Sequence, residues 1–305
     1  MSRDCRLAVI GAGRVGCAMA FLSREKGYEI TGLCCQHPEE AQNAADFLNK
    51  RCAAKKAPGL WLRDANLILI TTPDDVIGQV CSQIVDSEYI KPGSVIAHCS
   101  GAHPSSILKP AADIGCPTGS LHPLQSCATK EMAISLLPGS YFCIEGSEEA
   151  KIVLKDLVMS IGGNILEIAT DDKPLYHASA AVASNFLIAL INFALSLYET
   201  IGIEREKGLQ ALSPLFEGTI RNIKAMGIPE ALTGPIMRGD LGTVKAHLEA
   251  IKNRTPYYLS LYCALGIETT KIAMLKGTIN DKTGNKFEEL FDQYLIFSQS
   301  YGSID

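Results

Sequence analysis

RLAVIGAGRVGCAMA, residues 6–20, is the stretch on which the fold turns. Aliphatic residues at 6–10 run into Gly11, Gly13 and Gly16, and small apolar residues then continue at helical spacing. A strand, a glycine turn and a helix in that order form the start of a βαβ unit. In G-x-G-x-x-G spacing the first glycine permits the tight turn, the second lets backbone approach a pyrophosphate, and the third lets helix and strand pack closely. The pyrophosphate would rest on the free N–H groups of the helix start, along Gly11, Ala12, Gly13, Arg14, Val15 and Gly16. The competing reading is a glycine-rich turn that binds nothing.

Working outward, strand patterns fall at 28–35, 66–72, 94–99, 118–122, 141–146 and 163–169, and helix patterns at 14–26, 38–51, 74–86, 104–114 and 148–160. Such alternation implies a mainly parallel, doubly wound α/β sheet. After residue 168 the pattern turns helical, at 172–201, 204–226, 240–253, 255–275 and 284–298. The expected domains are therefore 1–168, binding dinucleotide, and 169–305, an all-helical substrate and dimerisation domain.

The composition is that of a globular chain, with 305 residues, 47% hydrophobic, 20% charged and a net charge of −5. That charge offers no basis for binding nucleic acid or an anionic membrane surface. Eleven cysteines, odd in number and without a C-x-x-C pair, read as buried thiols in a reducing cytoplasm. No signal-peptide pattern precedes the first strand.

An NAD site usually carries Asp or Glu after the second strand. Here the sequence is Cys34-Cys35-Gln36-His37, with Cys35 and Gln36 at the cofactor position. Lacking a carboxylate to repel a 2′-phosphate, the site favours NADP, with NAD as the alternative. Thr72 and Pro73, ending the strand at 66–72, line the cofactor, and Asp74 reads as an N-cap.

GAGRVG, TTPDDVI (71–77), HCSGA (98–102), SLHPLQS (120–126), YHASAAVASNF (176–186) and GPIMRGD (234–240) together resemble a bacterial family of Rossmann-like NADP-linked oxidoreductases with a C-terminal helical domain of unknown function. The layout is more distantly similar to prephenate dehydrogenases, pyrroline-5-carboxylate reductases and 6-phosphogluconate-type dehydrogenases. These resemblances imply hydride transfer between the cofactor and a small carbonyl, imine or hydroxyl compound, in a homodimer joined by the helical domain. They place Ser100 and His122 beside the reacting carbon, and Asn185 on the substrate side of the long helix. The lysine that hydroxyacid dehydrogenases carry one turn before that Asn is Ala181 here.

From the residues themselves, His122 suits proton transfer because an imidazole titrates near working pH, or else His-Pro only shapes a turn. Ser100 donates to a reacting oxygen or serves turn geometry. His98, Cys99, His103 and His122 lack the paired spacing of a metal site. In YHASAAVASNFLIALINFALSLY (176–198), His177, Ala181, Ser184, Asn185, Ile188 and Asn192 share a wedge of about 80° on one continuous helix. Its flanking charges, Asp171, Asp172 and Lys173 before it and Glu199, Glu204 and Arg205 after it, give no membrane anchor. The expectation is a helix buried by its own domain and a partner subunit, whose polar stripe brings His177 and Asn185 to the cofactor cleft or else holds satisfied core groups. Arg238 is a candidate carboxylate anchor and Asp240 an N-cap. Two rival classes remain: a non-catalytic dinucleotide sensor, and an enzyme using a deazaflavin coenzyme.

Overall fold

The computed structural model of the chain describes residues 5–35, 39, 43, 44, 46, 54, 55 and 57–301, without side chains at 54, 55 and 297–301. The helix expected at 38–51 and the position of Gln36 fall largely or wholly outside them. Among the described residues eight strands form one sheet in the order β3-β2-β1-β4-β5-β6-β7-β8. They are β1 (Arg6–Ile10), β2 (Glu29–Cys34), β3 (Ala54–Lys55), β4 (Leu67–Ile70), β5 (Val95–His98), β6 (Thr118–Pro123), β7 (Tyr141–Gly146) and β8 (Asn164–Glu167). All neighbours pair in parallel except β6 with β7. Strand order reverses at β1, so a crevice opens between the carboxyl ends of β1 and β4, the position where such sheets take ligands.

Period-two alternation builds two cores. Leu7, Val9, Leu67, Leu69, Leu121 and Ile144 face one side, under α1 (Arg14–Glu25) and α5 (Glu148–Ser160). Ala8, Ile10, Ile68, Ile70 and Ile96 face the other, under α2 (Ile77–Asp86) and α3 (Lys109–Asp113). One helix escaped the sequence reading, α4 (Lys130–Leu136), which Thr129 caps through the Met132 N–H at 3.1 Å.

The helices that follow are α6 (Lys173–Ala183), α7 (Asn185–Thr200), α8 (Arg205–Met226), α9 (Leu241–Arg254), α10 (Leu259–Leu275) and α11 (Asp281–Tyr301). By contacts the chain divides into Met1–Asn185 and Phe186–Asp305. The first unit thus takes in α6, beyond the residue 168 at which the strand pattern ends. The second unit has its own core, with Phe193, Val244, Leu248, Leu259, Phe287 and Phe291 at its centre. Asp240 does cap α9, accepting from the Thr243 N–H at 3.0 Å. Asp74 does not act as an N-cap, because it lies inside a 3₁₀ turn (Asp74–Val76) whose flanking residue is Pro73.

The stretch 176–198 departs from expectation in two ways. Ser184 has φ −118° and ψ −68°, away from helical values, so two helices replace one and the polar wedge is not a single face. The stretch is also poorly covered, with Val182, Phe186, Leu187 and Ile188 all exposed. Thr170–Thr200 is long and apolar enough to cross a membrane by length and composition. Its first part is nevertheless fastened to the sheet, where the buried Lys173 bonds Ser120 of β6.

In the second unit, α10 and α11 meet at Gly266, where an added Cβ would lie 2.3 Å from the ring of the fully buried Phe291. Gly266→Ala gains helix propensity yet overpacks this contact, so denaturant unfolding should show a net loss of about 1–3 kcal/mol. Unchanged or increased stability would mean that the two helices are free to separate.

Candidate active site

Gly11 has φ +115° and its N–H donates to Cys34 O at 2.8 Å. A Cβ there would lie 2.6 Å from the Thr71 carbonyl carbon. At Gly16 a Cβ would stand 2.1 Å from Gly11 O and 2.3 Å from Thr71 Oγ1, so both positions require glycine for close approach. Gly13 differs, since a Cβ there meets nothing within 4 Å. It is the N-cap of α1, no side chain caps that end, and the first turn holds no acid.

The helix start therefore presents free N–H groups to open space, as a bound anion needs. Ala12 is buried and Val15 packs on the core. Arg14 is exposed and donates to Cys127 O at 3.1 Å and Ala128 O at 3.4 Å. Thr72 Oγ1, next to the same crevice, is buried without a hydrogen-bond partner among the described residues, and Pro73 is exposed. Cys35 is buried just after β2. An orphaned hydroxyl, an uncapped helix end and the bare Gly13 together fit a dinucleotide.

A second group of residues lies toward the far edge of the sheet. Alternation puts His98, Ser120, His122, Cys143 and Glu145 on one face of β5, β6 and β7, with His98 opposite Ser120, Ser120 opposite Glu145, and His122 opposite Cys143. Glu145 is fully buried and accepts from Ser105 N at 2.8 Å, Ser105 Oγ at 2.7 Å and Thr170 Oγ1 at 2.9 Å. The first turn of α6 closes over this face. Lys173 Nζ donates to Ser120 Oγ, and the Tyr176 hydroxyl lies 2.8 Å from His122 Nδ1. The His177 ring stands edge-on to His122 at 5.9 Å.

Gly101 completes the site. A Cβ on it would be 2.5 Å from His177 Nδ1 and 2.7 Å from His122 Nε2, so both imidazoles lean on that glycine. His177 Nδ1 is buried and unpartnered.

Ser100 is buried, and its Oγ accepts from Ala102 N and His103 N at 3.1 Å each. Its hydroxyl thus shapes the turn after β5. Asn185, exposed, is the last residue of the first unit, and Arg238 is half-buried in the second. Among the described residues no three His, Cys, Asp or Glu side chains are grouped to hold a metal ion.

Sequence reasoning missed Lys173, Tyr176, Ser120 and Glu145. The signal was present in the i, i+3, i+4 spacing of Lys173, Tyr176 and His177, but Lys173 reads by composition as a flanking charge.

Electrostatics corrects one expectation. Burial, then the Lys173 cation and His177, push the His122 pKa down to about 4, so the ring is neutral near pH 7 rather than half-titrated. The nearby Asp74 carboxylate opposes this shift. His98 is likewise pushed to about 4 by burial and then by Lys173. Its Nδ1 accepts from Ser100 N at 3.2 Å and its Nε2 faces Pro104 O at 3.3 Å, which sets the proton on Nε2. Burial also lowers the Lys173 pKa and raises that of Tyr176.

A histidine depressed in the folded state binds its proton more readily once unfolded. Stability should therefore hold above pH 6.5 and fall as the pH drops toward 4, by up to about 3 kcal/mol per ring. Urea midpoints measured from pH 7 to pH 4 should show this fall, and His122→Asn should make it shallower. A flat profile would mean that both rings protonate freely in the fold.

Residues 2–123 match the family model of a Rossmann-like domain, and residues 140–269 match that of a domain of unknown function, DUF2520. No curated protein matches the chain. Among solved structures it is similar to BF3122 of Bacteroides fragilis, provisionally named an NADP oxidoreductase. That protein is 20% identical with a TM-score of 0.69, over 88% of this chain and 99% of the other. Protein TM1727 of Thermotoga maritima is 22% identical with a TM-score of 0.64, over 96% and 99%. Pyrroline carboxylate reductase of Plasmodium falciparum, solved with NADP bound, is 12% identical with a TM-score of 0.54, over 95% and 99%. At such identities the likeness is one of fold. Two family models thus match successive stretches of the chain, the Rossmann-like one first and DUF2520 second.

Proposed function

We propose that the protein is a cytoplasmic oxidoreductase that transfers hydride between NADP(H), with NAD(H) as the alternative, and a small carbonyl, imine or hydroxyl compound. The observation that carries this reading is the uncapped, open start of α1 at Gly13, beside the orphaned Thr72 hydroxyl, in a unit that also holds the His122–Tyr176 pair. The names of BF3122 and of the NADP-bound reductase agree with it. So does the lack of a carboxylate in Cys34-Cys35-Gln36-His37. The first-turn N–H groups of α1 hold the pyrophosphate. Bound nicotinamide supplies or accepts the hydride.

The protein's part is the accompanying proton. In the oxidising direction the neutral His122, its Nδ1 held by the Tyr176 hydroxyl, takes the substrate proton on Nε2 and passes it to solvent; in the reducing direction the imidazolium gives the Nε2 proton back. His177, through its unpartnered Nδ1, and Ser100, through its hydroxyl proton, orient the substrate. Asn185 and Arg238 are proposed as further substrate contacts.

The working form is a homodimer. Phe186 and Ile188 on α7 and Leu215 on α8 are more than half exposed, and apolar side chains left so open favour burial against a partner. The proposed occupant is a second copy, rather than a lipid bilayer, because Lys173 anchors the start of this stretch to the sheet.

Gly13→Asp adds a carboxylate where the fold has room for it. It should leave the melting temperature of the free protein unchanged and abolish the stabilisation by NADPH, which is about 2.7 kcal/mol at a hundredfold excess over the dissociation constant. NADPH oxidation with a panel of ketoacids and cyclic imines should fall at least a hundredfold in His122→Ala. Cofactor binding without turnover on any substrate would favour a sensor. Stabilisation by NADH alone would reverse the cofactor assignment. Light scattering should give twice the chain mass, reduced to one by Ile188→Glu; a monomeric wild type, or partition into detergent micelles, would remove the dimer.

A further inference from the structure

Lys173 violates two general tendencies at once. It is fully buried, although lysine is almost never fully buried, and it opens α6, where a cation opposes the helix dipole. Its hydrogen-bond partner is the hydroxyl of Ser120, not a carboxylate. Such a residue is retained for something other than stability.

The geometry indicates what that is. Ser120 and His122 are two apart on β6 and share a face, about 6.6 Å from each other along the strand. Lys173 and Tyr176 are three apart on α6, about 4.5 Å along the helix axis. The two rows meet pairwise, Lys173 on Ser120 and Tyr176 on His122. We propose that Lys173 is a positioning residue, whose grip on Ser120 sets the register of α6 on β6 and so delivers the Tyr176 hydroxyl to His122 Nδ1. A one-residue slip of the helix would turn Tyr176 away by about 100° and leave His122 without its partner. This inference rests on the proton-transfer reading above for its catalytic consequence, but not for its structural one.

The lysine also acts through its charge. Facing His122 are Lys173 and His177 from α6, His98 from β5 and Asp74 from the turn after β4. Of these, only Asp74 favours the imidazolium. Facing Lys173 are Cys143 and Glu145 of β7, Cys99 after β5, and Asp74. Removing the lysine therefore removes the main cation that holds His122 neutral.

The test is nitrogen-detected NMR of His122 in the full-length protein, read together with steady-state kinetics. Wild type should titrate near pH 4, with Nδ1 in one defined hydrogen-bonded state. Lys173→Met should raise the midpoint and lose the signature of the Tyr176 bond. Ser120→Ala, nearly isosteric, should lose that signature while shifting the midpoint less, and Ser120→Thr should restore it. If Lys173→Met does not fold, the serine pair decides the matter alone. An unchanged His122 signature in Ser120→Ala would overturn the proposal. In any active preparation, Lys173→Met and Ser120→Ala should lower kcat at least tenfold with KM for NADPH unaltered, and the acid limb of the Lys173→Met profile should move to higher pH. Should no substrate be turned over at all, the NMR result still stands or falls by itself, so failure of the enzymatic reading and failure of this one are separable.

Discussion

At the mouth of the sheet, α1 comes closer to β1 and β4 than any side chain would allow. Gly16 rests on the Gly11 carbonyl and the Thr71 hydroxyl, and that hydroxyl donates to Gly11 O at 2.7 Å. This contact locks three elements together and leaves the first N–H groups of the helix pointing over Gly13 into free space. A larger residue at 16 would lift the helix off the sheet and widen the crevice. The dinucleotide reading depends on this contact for its geometry.

The second feature is a polar row inside a sheet that carries aliphatic residues on that face in β1 and β4. His98, Ser120 and Glu145 lie side by side across β5, β6 and β7, all fully buried. Each is satisfied locally: His98 by the turn at Ser100 and Pro104, Glu145 by Ser105 and Thr170, Ser120 by Lys173. Buried polar networks that are fully partnered specify one arrangement, because any alternative strands a donor or an acceptor. Against this rigid floor stand His122, Tyr176 and the unpartnered His177, whose free nitrogen departs from the pattern and marks where a ligand would complete the set.

Much of the architecture was legible. Alternating aliphatic runs revealed the strands of the sheet apart from the two-residue β3, and the glycine spacing announced the turn, because these signals are local and repeat with the period of the element. The site was less legible for physical reasons. Ser100 and His122 stand out in sequence, but whether a hydroxyl serves a turn or a ligand depends on what lies three residues on in space. Lys173 beside two aspartates looks like a solvated helix start, and only the antiparallel pairing of β6 with β7 creates the covered pocket into which it points. The break at Ser184 leaves only a faint compositional trace, a Ser-Asn pair of low helix propensity inside apolar residues that keep helical spacing on both sides.

That break bears on how far a disturbance can travel. Because α6 ends there and belongs to the first unit, the hydrogen bonds that join Lys173 to Ser120 and Tyr176 to His122 close within one contiguous stretch of chain. Local melting of the helices that begin at Phe186 would leave each of those donors and acceptors paired.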